Sequence, residues 1–203
     1  MLELSELEHS ALTEIVNLSI GRAAGVLNKM IGQEVTLTVP RVTILEGTSV
    51  LKIDDTRFGE STTLVQQYFE GPVSGIANLV FPGRNNLELV RLMLGSELPT
   101  EQLVELEPDA FQELGNVILN SFLGTLGDEL DVSISSLFPV FKKNIPPETM
   151  LGNLNNTQCS IILIHVDFRV QKVDISGFLV LVLTVNSLNA FHDLLVKYTD
   201  GVR

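Results

Sequence analysis

Two pairs of side chains are placed to do chemistry: Glu14 with Asn17, and Glu113 with Asn116. In each pair a carboxylate precedes a carboxamide by three residues, so on a helix the two share one face. A carboxylate can meet a cation. A carboxamide can accept a proton with its oxygen and donate with its nitrogen, without changing charge. The chain holds little else of this kind. Its one cysteine, Cys159, cannot make an internal disulfide or a cysteine-rich zinc site. His9, His165 and His192 are scattered and show no metal-ligand spacing.

The elements that carry the pairs follow from periodicity. With about 100° per residue and Ser10 as origin, Glu14 lies about 40° to one side, Asn17 about 20° to the other, and Gly21 back at about 20°. Apolar residues fill most of the remaining circumference: Leu12, Ile15, Val16, Leu18, Ala23, Val26 and Leu27. A second helix repeats the stripe as Asp109, Glu113, Asn116 and Asn120, flanked by Phe111, Leu114, Val117, Ile118, Phe122 and Leu126. A helix apolar nearly all round is mostly buried, which leaves the polar stripe as its window on solvent. On a single helix such a stripe is ordinarily just a solvated face, and Ser10 or Asp109 could be helix caps. Its recurrence favours a purpose, because Asn is a mediocre helix former.

The recurrence belongs to an internal repeat. Residues 8–40 align without a gap on 107–139, an offset of 99, with seven of 33 positions identical, among them Glu8/Glu107, Gly25/Gly124 and Pro40/Pro139. Val73-Ser74-Gly75-Ile76 then matches Ile175-Ser176-Gly177-Phe178 at an offset of 102. The pattern predicts long helices over 6–31 and 108–126, with Pro108 in a first helical turn and Gly32 at a helix end. It predicts an alternating strand over 34–39 and hairpins pairing 62–69 with 73–81 and 159–170 with 173–185. Their turns fall at Glu70-Gly71-Pro72 and Gln171-Lys172, and closing helices at 85–94 and 187–198. The order helix, strand, hairpin, helix, given twice, predicts an α/β fold. Long motif helices pack on one largely antiparallel sheet shared by two pseudo-two-fold halves, approximately 1–96 and 105–203. Neither half has enough strands to stand alone, so a single domain over 1–203 is expected.

Composition excludes several classes. The 203 residues are 45% apolar with mean hydropathy +0.30, enough for a sizeable core. Against 13 basic residues stand 25 acidic ones, a net charge of −12, which disfavours nucleic-acid binding and docking on an anionic membrane. The acidic start, Met1 to Glu6, does not resemble a secretory signal. The apolar runs 161–166 and 178–185 are too short to span a bilayer as helices. A soluble, cytoplasmic protein is expected.

Ser10-x-x-x-Glu14-x-x-Asn17, then 22 residues, then Pro40, resembles the signature of the CheC/CheX/FliY chemotaxis phosphatases. Asp109-x-x-x-Glu113-x-x-Asn116, then 22 residues, then Pro139, matches it again. Two intact motifs, with no residues left for a further flagellar-switch domain, are most similar to stand-alone CheC. The resemblance implies hydrolysis of the aspartyl phosphate on a phosphorylated CheY-type response regulator. It implies that Asn17 and Asn116 orient the attacking water while Glu14 and Glu113 pair with a regulator lysine. Ser10 and Asp109 would support the motif, and Pro40 and Pro139 would shape the end of the strand after each helix. No cofactor of the protein's own is implied, since the regulator carries the Mg²⁺. CheD is a further implied partner. The same stripes could instead serve a non-catalytic chemotaxis interaction protein or a flagellar-switch subunit. A monomer is sufficient, because the duplication gives the chain its own pseudo-symmetric partner.

Other motifs lead less far. The serine in Gly71-Pro72-Val73-Ser74-Gly75 is one place too late for a nucleophile elbow, and its repeat at Ser176-Gly177 points to a structural strand position. Gly21-x-x-x-Gly25 predicts close helix packing. Asp54-Asp55 reads as an acidic turn, and Lys142-Lys143 is too small a basic cluster for nucleic acid.

Overall fold

The computed structural model describes residues 4–46, 62–81, 86–95, 98–154, 159–170 and 173–201. Helix α1 spans Glu6–Ile31. Its cap is Ser5 rather than Ser10. The Glu8 N–H donates to Ser5 Oγ, and the Ser5 N–H donates to the Glu8 carboxylate at 2.8 Å, a closed capping box. Gly32 ends the helix at φ 69°, a left-handed conformation that glycine adopts without Cβ strain. Leu12, Ile15, Val16, Ile20, Ala23 and Leu27 are buried. Leu18 and Val26 are not, at 43% and 46% exposure, so the open side of α1 is wider than the narrow stripe expected.

Helix α2 spans Asn86–Leu94, α3 Thr100–Leu130 and α4 Val185–Gly201. Because α3 begins at Thr100, Pro108 lies inside the helix rather than in its first turn, and Asp109 is no cap. An interior proline deprives the carbonyl four residues back of its partner. Here both Val104 and Pro108 are exposed, so water can take that carbonyl and the helix continues. Gly21 and Gly25 do not mediate close packing: a Cβ on either would meet nothing within 4 Å. The close approach is made on α3, where a Cβ on Gly115 would lie 2.3 Å from Val65 Cγ1.

The strands are β1 (Val35–Glu46), β2 (Thr63–Glu70), β3 (Gly75–Phe81), β4 (Ser135–Ser136), β5 (Val140–Lys143), β6 (Cys159–Val170) and β7 (Val173–Thr184). They form one antiparallel sheet in the order β1-β6-β7-β3-β2-β4, with β5 also paired to β2. Each long hairpin therefore takes its outer neighbour from the other part of the chain. Hairpins β2–β3 and β6–β7 meet through β3 and β7, with Ala77 opposite Leu181. At that seam a Cβ on Gly75 would lie 2.3 Å from the Val182 carbonyl oxygen, and one on Gly177 3.0 Å from that of Val80. The repeated Ser-Gly thus marks structural strand positions, as expected, where the neighbouring strand's backbone comes close.

The four helices contribute to one core on one face of the sheet. Phe81 links its layers, packing against Phe111 of α3 at 5.2 Å between ring centroids and against Phe168 of β6 at 5.1 Å. On the other face, Met150 and Leu151 of a 3₁₀ segment, Pro147–Leu154, cover Leu64, Ile76 and Val180. Gln66 Nε2 donates to the Thr149 carbonyl and Asn78 Nδ2 to that of Met150, fastening the segment. Gln171-Lys172 and Asp54-Asp55 lie outside the described residues. Among the described residues, no helix is long and apolar enough to cross a membrane.

Candidate functional site

The sequence of α1 alternates in a way that presents Glu14 and Asn17 outward. Ile15 and Val16 between them are fully buried, while both polar side chains are exposed. They line one open hollow with Glu6, His9, Ser10, Thr13 and Leu18, all from the same helix. Among the described residues, no side chain hydrogen-bonds to Glu14 or Asn17. Tyr198 of α4 lies near enough for the carboxylates of Glu14 and Glu129 to act on it. Burial first, then those two charges, push its phenol up, so the ring stays neutral beside Glu14.

On α3, Asp109 and Glu113 are exposed and Asn116 is half-buried, while Leu114 and Gly115 between them are buried. The Asn116 amide is held: Asn120 Nδ2 donates to its Oδ1 at 2.6 Å. Asn120 Oδ1 in turn accepts from Gln67 Nε2 at 2.9 Å and from Ser136 Oγ at 3.2 Å. Exposed Leu137, Phe138 and Val140 follow Ser136 along this edge of the sheet. The stripe was visible in the sequence, but its supports on β2 and β4 were not.

Helices α1 and α3 are tied together by Arg22, whose Nη1 donates to Thr125 Oγ1 at 3.1 Å and to Asp128 Oδ2 at 3.0 Å. Pro40 does not end its strand. It lies within β1, where the register with β6 shifts between Thr38 and Arg41. Pro139 is buried between β4 and β5. The other repeated acids take structural roles. Glu8 closes the α1 cap and faces His192 at 3.5 Å; the Ser5 backbone N–H, aided by His192, holds its carboxyl below the usual range. Glu107 is buried and ion-paired with Lys143. Lys142 donates to Gln66 Oε1, so both lysines of the basic pair are engaged with the protein itself.

The family model of the CheC-like family matches residues 7–44, the whole of α1 but its first residue together with most of β1. The flagellar motor switch phosphatase FliY of Bacillus subtilis (strain 168) is 28% identical over 152 residues, covering 73% of this chain. Over residues 7–44 the chain matches the CheC-like family, and the FliY relative extends a likeness to the CheC/CheX/FliY proteins over most of its length. The chain spans 37% of that FliY's length. The crystal structure of Thermotoga maritima FliY has the same fold as this chain, with a TM-score of 0.76 at 21% identity, covering 97% of this chain and 100% of that one. A chain of the FliG–FliM complex from H. pylori also shares it, with a TM-score of 0.61 at 10% identity, over 94% and 100% of the two chains.

Proposed function

We propose that this protein hastens loss of the aspartyl phosphate from a phosphorylated CheY-type response regulator, acting through the exposed faces of α1 and α3. Water oxygen bonds to phosphorus as the acyl P–O bond breaks, releasing inorganic phosphate and restoring the aspartate carboxylate. The acyl phosphate is already a good leaving group, and Mg²⁺ on the regulator neutralises charge, so the phosphatase supplies chiefly orientation. Asn17 and Asn116 position the water, and Glu14 and Glu113 each meet a regulator lysine. The observation that carries this reading is that both Glu/Asn pairs reach the surface of helices whose intervening residues are buried. The name of the Bacillus subtilis relative, a phosphatase, supports it. Phosphate release from phosphorylated regulator and Mg²⁺, with and without this protein, is the test; unchanged decay would remove the reading.

A second reading is a flagellar-switch or other chemotaxis interaction subunit, holding a FliG-like, CheD or regulator partner without chemistry. It is favoured by Leu137, Phe138 and Val140, exposed together near the sheet edge, and by the fold shared with a chain of the FliG–FliM complex. Binding of regulator without faster phosphate loss would select it.

A further inference from the structure

The two motifs are alike in sequence but differ in what holds the amide. Gln67 is buried in β2, and its Nε2 faces two acceptors, the Leu137 carbonyl oxygen at 2.9 Å and Asn120 Oδ1 at 2.9 Å. Turned the other way, its oxygen would confront two oxygens, so only this orientation is bonded. Ser136 Oγ donates to the same Asn120 Oδ1. Asn120 must therefore present its nitrogen to Asn116, and Asn116 must turn its oxygen toward Asn120. The polarity of each amide is set by the one before it, starting from the sheet. Asn116 Oδ1 keeps its second lone pair, and Nδ2 keeps both hydrogens, for whatever docks.

On α1 the residue aligned with Asn120 is Gly21, which has no side chain to offer, and a Cβ there would meet nothing within 4 Å. Among the described residues, nothing comparable fixes Asn17.

We propose that Asn120, backed by Gln67 and Ser136, is a positioning residue that presets the rotamer and polarity of the Asn116 amide, making the α3 site preorganised and the α1 site not. The catalytic part of this rests on the phosphatase reading. A group already fixed at the geometry the transition state needs requires no reorganisation during reaction, so its loss falls on turnover rather than on binding.

Two measurements on the full chain test it. The first is nitrogen-15 relaxation of side-chain amides. Asn116 should give one rigid amide and Asn17 an averaged one, and Asn120→Ala should make Asn116 as mobile as Asn17. A mobile Asn116 in the unaltered protein overturns the inference whatever the activity. The second uses Asn17→Ala to silence α1, then adds Asn120→Ala or Asn120→Asp. Asn120→Asp is nearly isosteric and still accepts from Gln67 and Ser136, but it cannot donate to Asn116. Both should lower kcat about tenfold with KM within about twofold, and the aspartate variant keeps the packing if the alanine variant unfolds. Unchanged kcat in folded Asn17→Ala/Asn120→Asp, where Asn17→Ala/Asn116→Ala is inactive, overturns the positioning role. If the unaltered protein releases no phosphate, the phosphatase reading fails, and the relaxation data alone decide whether the relay fixes Asn116.

Discussion

Glu14 and Asn17 stand one helical turn apart on the open side of α1, and the two residues between them, Ile15 and Val16, have no exposed surface. The apolar pair anchors the helix to the core, so the polar pair is held outward by packing that it does not share. Substitution of either polar residue should therefore alter contacts with a partner while leaving the fold in place.

Glu14→Lys together with Glu113→Lys should weaken binding of phosphorylated regulator, since a charge that attracts a lysine becomes one that repels it. The loss should be greatest at low ionic strength and shrink as salt screens exposed charges. Titration at two salt concentrations checks this. Unchanged affinity at low salt would take the docking role from both glutamates.

Glycines on the two motif helices should respond oppositely to alanine. Gly115→Ala places a Cβ within 2.3 Å of Val65 Cγ1, and Val65 is buried and branched, so α3 must lift from the sheet. A loss of about 1–3 kcal/mol follows. Gly21→Ala points into open space within a helix and should gain about 0.5–1 kcal/mol. Denaturant midpoints measure both.

The capping box should make stability fall in acid. The Glu8 carboxyl is held below its ordinary value of 4.5, first by the Ser5 N–H, with His192 adding to it. A carboxyl lowered by folding contributes stability that is present above the unfolded value and is lost as pH falls through the folded one. Glu8→Gln should flatten the loss of stability below about pH 4.5. Ser5→Ala, which removes the Oγ acceptor, should cost about 1 kcal/mol near neutral pH. Unfolding curves across pH test the pair.

What the sequence made legible was local. The 3.6-residue pattern placed α1 over 6–31, with Gly32 after it, and the structure agrees to the residue. Pro108 misled the reading of α3, because a proline that starts one helix is tolerated inside another where the deprived carbonyl meets water. Partnership across the sheet was not legible. That β1 pairs with β6, or that Gln67 reaches Asn120 from 53 residues away, depends on how the two hairpins meet, which no local pattern encodes. The stripe on α3 could be read from spacing. The relay that orients its amide could not, since two of its members belong to strands rather than to the helix.

The central claim rests on two asparagines and is tested most directly by removing both amides. The measurement is the rate of phosphate release from phosphorylated regulator with Mg²⁺, comparing the unaltered chain with Asn17→Ala/Asn116→Ala. A thermal melt should show the double variant folded, and its affinity for the regulator should change little, because an amide that orients water acts chiefly in the transition state. The account predicts that acceleration is nearly abolished in the double variant and partly retained in each single one. A folded double variant that releases phosphate as fast as the unaltered protein would contradict it.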